Sequence, residues 1–174
     1  MMDGTRTKHK VYWAVLREGD WQFVVSATDT GLCFVGSIGG SPDELGSWAD
    51  RRYGADYELT HDEGKLAPYI GQLTEYLQGT RQSFKWNMDV GGTAFQRSVW
   101  HAMNEVGYGG TATYSDIAER IGRPAAVRAV GTAIGRNPAL IVLPCHRIVG
   151  KNGSLTGYRG GLAMKEKLLE LERS

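Results

Sequence analysis

The apolar positions near the start of the chain fall into short runs rich in β-branched and aromatic side chains: Lys10 to Leu16, Trp21 to Val25 and Leu32 to Gly36. Glu18-Gly19-Asp20 and Asp29-Thr30-Gly31 separate them, the punctuation of hairpins, so three antiparallel strands are predicted. The period then lengthens. Ser41-Pro42-Asp43-Glu44 offers an N-cap, a proline at the first helical position and a glutamate three residues after the cap, which predicts a helix start. Leu66, Tyr69, Ile70, Leu73 and Leu77 recur at helical spacing over a second helix from about Gly64 to Gln78, which Gly79 ends. Ser83 to Met88 alternates and is a further candidate strand, and Gly91-Gly92 marks a junction between a domain of residues 1–90 and one of residues 91–174.

The second half is patterned for helices. Thr93-Ala94-Phe95-Gln96 is a capping box, opening a helix that carries Phe95, Val99, Met103 and Val106 on one face. Ser115 is placed to cap a short helix from Asp116 to Ile121, Gly122-Arg123-Pro124 breaks it, and a further helix runs from Ala125 to Gly135. Two helices joined by a short glycine-containing turn predict a helix-turn-helix. The fold class expected is α+β: a small N-terminal three-stranded antiparallel sheet with helices, then a mostly helical, winged-helix-like domain. No internal repeat or low-complexity segment interrupts it.

Composition narrows the class. With 174 residues, 41% of them hydrophobic, the chain has material for a packed core, which excludes disorder. No apolar stretch is long enough to span a bilayer, and the polar segment Met1 to Lys10 lacks the apolar core of a signal peptide, so a soluble cytoplasmic protein with no membrane partner is expected. Cys33 and Cys145 do not make a disulfide framework and are expected to be free thiols. The net charge of +1 conceals an asymmetry: 9 Lys+Arg against 13 Asp+Glu in residues 1–90, 11 against 6 in residues 91–174. The basic second half suggests a face turned to a polyanion, beside the blander reading of a solvated surface.

Chemistry concentrates in Asn137 to Gly150, where an apolar run leads through Pro144 into Cys145-His146-Arg147. A thiol next to an imidazole and a permanent cation is expected to ionise more readily than a free cysteine, which makes Cys145 a candidate nucleophile; the alternative is a buried structural cysteine. On an extended strand Cys145 and His146 would face opposite sides, so a bridging water would relay the proton. A base also needs a partner to hold its tautomer, and the C-terminal helix offers Glu166, Glu170 and Glu172, among which spacing does not choose. Cys33, in an apolar run, is expected in the core. With His9 and His61 it gives too few thiolates for a usual structural zinc site, so no metal and no cofactor are predicted. His101 is expected to be an ordinary surface or packing residue.

Five segments, Thr113 to Ala118, Arg128 to Gly131, Gly135 to Pro138, Pro144 to Arg147 and Thr156 to Leu162, together resemble the O6-alkylguanine-DNA alkyltransferases. The resemblance implies a ribonuclease H-like first domain and an alkyltransferase, DNA-binding second one. It implies repair of O6-alkylguanine, with O4-alkylthymine as a second candidate substrate, in double-stranded DNA by irreversible, single-turnover transfer of the alkyl group to the protein after base flipping. Cys145 then corresponds to the acceptor thiolate, His146 to the base acting through water, and Glu172 to its orienting carboxylate. Asn137 corresponds to the residue bracing the turn, and Tyr114 to the one that crowds the target phosphate and returns a proton to the guanine. Backbone groups of Cys145 and Val149 would read the base edge, with Tyr158 and the amide of Arg159 on the opposite wall. Arg128 corresponds to the finger that fills the vacated stack, and Ala126, Val127, Ala129, Gly131 and Ser115 to DNA contacts in the minor groove. The same resemblance implies a monomer without an obligate protein partner that can cluster along DNA, and in a bacterium an association with the nucleoid.

Elementary physics agrees with this assignment. A base inside a duplex cannot present its O6 substituent to a thiol, so it must be extruded at a cost of about a few kcal/mol. A guanidinium such as that of Arg128 can stack in its place. The small side chains of Ala125, Ala126, Ala129, Gly131, Ala133 and Gly135 permit close backbone approach, although tight packing inside the protein would use the same composition. Val127 and Thr132 are bulkier than the smallest residues of this helix in some relatives. A non-catalytic reader of alkylated bases carries tryptophan in place of the cysteine, and Cys145 argues against it. A regulator that couples transfer to transcription needs a further zinc-cysteine domain, and a thiol hydrolase leaves the helix-turn-helix unexplained.

Overall fold

The computed structural model describes residues 6–174, so the start of the Met1 to Lys10 segment lies outside the described residues. Strands β1 (His9–Glu18), β2 (Trp21–Ala27) and β3 (Leu32–Val35) form the expected antiparallel meander. The sheet has a fourth strand, β4 (Tyr57–His61), parallel to β1 at the edge, in the order β3-β2-β1-β4. The three-strand expectation missed it because β4 is only five residues long, none of them fully buried, and its alternation rests on Tyr57 and Leu59 alone. Helix α1 (Pro42–Tyr53) lays Leu45, Trp48 and Ala49 on one face of the sheet, against Val11, Val24, Cys33 and Phe34. Helix α2 (Glu63–Leu77) covers the other face with Leu66, Leu73 and Tyr76, packing on Ala14, Leu16, Phe23 and Val25. Burial from both sides explains why β2 and β3 read as nearly continuous apolar runs.

Ser83 to Met88 forms no strand. Its only ladder contact is a bridge from Met88 to Leu32, and its alternation serves to place Phe84 and Trp86 on one side, rings stacked at 4.9 Å. Helix α3 (Ala94–Asn104) starts where the capping box predicts: Thr93 Oγ1 accepts from the Gln96 amide at 3.1 Å and Gln96 Oε1 from the Thr93 amide at 3.0 Å. Helix α4 (Tyr114–Arg120) starts earlier than expected, because its cap is Thr113, boxed with Asp116, and not Ser115. Helix α5 (Val127–Gly135) begins two residues later than predicted, so the turn between the two helices runs from Ile121 to Ala126. The indole of Trp100 on α3 donates to the Ala133 carbonyl at 2.9 Å and fixes α5. Short strands β5 (Ala112–Thr113) and β6 (Ile148–Val149) pair in parallel, and α6 (Leu162–Arg173) closes the chain. The larger apolar core draws residues from both halves, and no described helix is long and apolar enough to cross a membrane.

Candidate active site

The segment from Asn137 to Val149 enters the core against β3. Val35 donates to the Pro138 carbonyl at 3.0 Å, and Leu140 donates back to Val35 at 3.3 Å. The Asn137 side chain then folds the segment on itself: Nδ2 donates to the Leu143 carbonyl at 2.7 Å and to Cys145 Sγ at 3.1 Å, while Oδ1 accepts from the Ala139 amide at 2.9 Å. Between these anchors Ile141 adopts φ of 73°, a left-handed backbone that a β-branched residue avoids unless its surroundings impose it. The expected extended strand is absent. Cys145 to Arg147 is a turn of 3-10 helix, whose threefold repeat directs Cys145 and His146 roughly 120° apart.

Cys145 is 4% exposed. Burial pushes its thiol pKa up, against the opposing effects of the Asn137 hydrogen bond and the charges of Arg159 and Lys165. Burial thus opposes the ready ionisation expected from the sequence, while Asn137 Nδ2 places a donor on the sulfur. Nor does Arg147 serve the sulfur. It faces Glu172, donating through Nε at 3.0 and 3.2 Å and through Nη2 at 2.8 Å. His146 Nε2 lies 2.8 Å from the same carboxylate, and Tyr76, from α2, donates to it at 2.7 Å. Burial alone would raise the Glu172 pKa, but the hydrogen bonds from His146, Arg147 and Tyr76 outweigh it and hold the carboxyl well below its usual range. Glu166 and Glu170 are exposed, so the structure selects Glu172 as the partner of His146. Burial lowers the His146 pKa against the opposing pull of Glu172, and its Nδ1 has no partner among the described residues.

Opposite the turn, Thr156, Gly157, Tyr158 and Arg159 join Tyr114, Gly131, Ile134 and Gly135 around an open groove of about 570 Å³. Tyr114 and Thr156 bridge it through their hydroxyls at 3.3 Å. Lys165, on α6, is fully buried and donates to the carbonyls of Ile148 and Thr156 at 2.5 and 2.8 Å, tying β6 to this wall. Val149 is buried on β6, paired with Thr113. Gly160 is required by close packing: a Cβ there would sit 2.4 Å from Met164 Sδ and 2.8 Å from Tyr158 Cε1. On α5, Val130, Ala133 and Ile134 face inward; Arg128, Ala129 and Thr132 are exposed, and Ala126, Val127 and Gly131 half-buried, as is Ser115 on α4.

The structure thus brings Asn137 to Cys145, and His146 to Glu172, in direct contact. Tyr114, Gly131, Tyr158 and Arg159 share one groove, whereas Arg128 stands apart on the outer surface of α5. Sequence reasoning missed Tyr76 and Lys165, which lie far from the motif along the chain and reach it only through packing. Cys33 is in the core, its thiol pushed up to about 12 by burial. No group of three or more potential metal ligands occurs among the described residues.

Two family models cover nearly the whole chain: "6-O-methylguanine DNA methyltransferase, ribonuclease-like domain" matches residues 11–90, and "6-O-methylguanine DNA methyltransferase, DNA binding domain" matches residues 94–174. The inducible methylated-DNA–protein-cysteine methyltransferase of Bacillus subtilis is 51% identical over 166 residues, spanning 95% of this chain and 92% of that protein. The methylated-DNA–protein-cysteine methyltransferase of Methanosarcina acetivorans is 39% identical over 169 residues, 94% of this chain and 99% of its own length. Among solved structures, Mycobacterium tuberculosis OGT in complex with DNA superposes with a TM-score of 0.79 at 33% identity, covering 94% of this chain and 92% of that one.

Proposed function

The chain belongs to the 6-O-methylguanine DNA methyltransferases, and from that premise we propose how its residues divide the work of moving an alkyl group from O6 of guanine in duplex DNA to one of its own cysteines. Cys145 is the acceptor. Its thiol proton passes through a water to Nδ1 of His146, the buried ring nitrogen free to take it, and Glu172 stabilises the imidazolium that results. The thiolate, held by Asn137 Nδ2, attacks the alkyl carbon in line: the S–C bond forms, the C–O6 bond breaks, and its electron pair leaves with the guanine. Tyr114 gives a proton to that guanine and recovers one through solvent from the His146 imidazolium, so the proton taken from the thiol ends on the released base. The product thioether has no leaving group for water to displace, so each molecule reacts once.

Binding follows the same layout. The damaged base swings out of the duplex into the groove between Tyr114 and the Thr156 to Arg159 wall, which gives way to uncover the nearly buried sulfur. Tyr158 and the Arg159 amide bound the base on one side, backbone groups of Cys145 and Val149 on the other. Arg128, exposed and without an ion-pair partner among the described residues, fills the gap in the stack. Ala126, Val127, Ala129 and Gly131 of α5 and Ser115 of α4 meet the DNA backbone and minor groove, where readout depends little on sequence. The protein acts as a monomer in the cytoplasm, without an obligate protein partner.

The observation that carries this reading is the pairing of a buried thiol on Asn137 with a buried His146–Glu172 couple. Arg128→Ala tests it: reaction with duplex DNA carrying O6-methylguanine should slow much more than reaction with free O6-benzylguanine, because only the duplex has a stack to fill. Equal losses on both substrates refute the assignment of Arg128.

A further inference from the structure

The side chain of Arg159 binds acceptors from both halves of the chain. Nε donates to the Asn137 carbonyl at 3.1 Å, and Nη2 to the carbonyls of Val35 and Pro138 at 2.9 and 3.2 Å. Nη1 pairs with the carboxylate of Glu44 on α1, and the guanidinium carbon lies 5.2 Å from the centre of the Phe34 ring. Glu44 is itself seated: Oε2 accepts from the Ser37 amide at 3.0 Å and Oε1 from the Ser37 hydroxyl at 2.9 Å. This is the glutamate that the sequence reads as part of a helix cap. Ser41 caps α1 without it, by accepting from the Asp43 amide, which leaves Glu44 available for Arg159. A side chain at Gly40 would put its Cβ 2.7 Å from Glu44 Oε2, so the glycine leaves the carboxylate its seat.

Arg159 thereby holds the residue whose side chain donates to the sulfur. Asn137 is gripped from two directions, its amide by Leu143, Ala139 and Cys145 and its carbonyl by Arg159. Glu44 and Arg159 also border a cleft of about 750 Å³ between α1 and the α3–α5 pair, so a guanidinium released from Glu44 has open space to turn into. The pair's side chains are only 27% and 23% exposed, so a guanidinium that loses Glu44 keeps its three carbonyl acceptors but not its counter-charge. We propose that the Glu44–Arg159 pair is a positioning element for alkyl transfer: through it the N-terminal half sets the Asn137–Cys145 turn and the Tyr158 wall at their working separation. The proposal rests on Cys145 being the acceptor.

The test is the rate at which free O6-benzylguanine labels Cys145. That substrate is uncharged and makes no phosphate contact, so DNA binding does not enter. Glu44→Ala should lower the rate about 10- to 100-fold, the size expected when reacting groups are misplaced by a fraction of an ångström to an ångström. Affinity for undamaged duplex DNA should be unchanged, because α5 is untouched. Raising NaCl from about 0.05 to 0.5 M should slow the parent protein by screening the pair, and Glu44→Ala should lose that dependence. A purely structural contact would move neither readout in folded protein. A variant rate equal to the parent's overturns the proposal, as does a parent rate indifferent to salt. Should Glu44→Ala fail to fold, Glu44→Gln, which keeps an acceptor for Ser37 and removes the charge, carries the same expectation and the same refutation. Benzyl found on a residue other than Cys145 defeats the acceptor assignment itself, whereas a parental rate in the variant defeats only the positioning role.

Discussion

Replacing Asn137 with alanine separates two jobs that its side chain holds at once. Nδ2 donates to Cys145 Sγ at 3.1 Å, and the amide group also closes the segment through Leu143 and Ala139. A hydrogen bond to a charged acceptor contributes about 1.5–3 kcal/mol, and 1.36 kcal/mol corresponds to one pKa unit, so the thiol should become harder to ionise by about 1 to 2 units. At neutral pH the thiolate fraction, and with it the rate of labelling by free O6-benzylguanine, should fall roughly 10- to 100-fold. The sign matters: losing the donor raises the thiol pKa, so the rising limb of the rate against pH should move to higher pH, and much of the activity should return in alkali. The same change orphans the buried Ala139 amide, whereas the Leu143 carbonyl keeps the Cys145 amide at 2.8 Å; one orphaned amide costs about 1–3 kcal/mol, an expected fall in melting temperature of roughly 2–12 °C for a chain of this size. The assay is single-turnover labelling across pH, at a temperature well below the variant's unfolding transition. A slower variant whose pH limb has not moved would show that Asn137 braces the backbone and does nothing for the sulfur.

Gly160→Ala should press a methyl group onto Met164 Sδ and Tyr158 Cε1; overpacking of this kind costs about 1–3 kcal/mol, and reaction with a benzyl donor should suffer more than reaction with a methyl donor. An unchanged ratio of the two rates would place Tyr158 outside the alkyl pocket. Stability should decline in acid through two groups whose folded pKa values are lowered, His146 by burial and Glu172 by its hydrogen bonds, which outweigh burial. His146 contributes above its unfolded value near about 6.5 and Glu172 above its own near about 4.3, each contribution being lost as pH falls. Denaturant unfolding from neutral pH down through both values checks this, and a flat profile would contradict the buried network.

Much of the site was legible because its signals are local. The Thr93 capping box involves groups three residues apart, and the structure keeps it unchanged. The Pro144-Cys145-His146-Arg147 run marks the reactive turn, but its conformation was misread: Asn137 side-chain bonds, not the local apolar pattern, curl it away from a strand. Ser115 and Thr113 both suit a cap, and Asp116, three residues after Thr113, decides between them. Strand β4 was hidden because its partner in register lies at the start of the chain and neither of its faces is fully buried. Tyr76 reaches Glu172 across 96 positions, and Arg159 reaches Glu44 across 115, so nothing in their immediate sequence announces either contact. The direction of the Cys145 shift was also out of reach: burial pushes the thiol up, and the neighbouring cation faces Glu172, both matters of packing that adjacency in sequence does not specify.

Intact-mass titration with duplex DNA carrying one O6-methylguanine, followed by peptide mapping, addresses the central claim directly. The account predicts one methyl group per protein molecule, located on Cys145, with no further reaction when more damaged DNA is added. A methyl on another residue, or repair of more lesions than there are protein molecules, would contradict it.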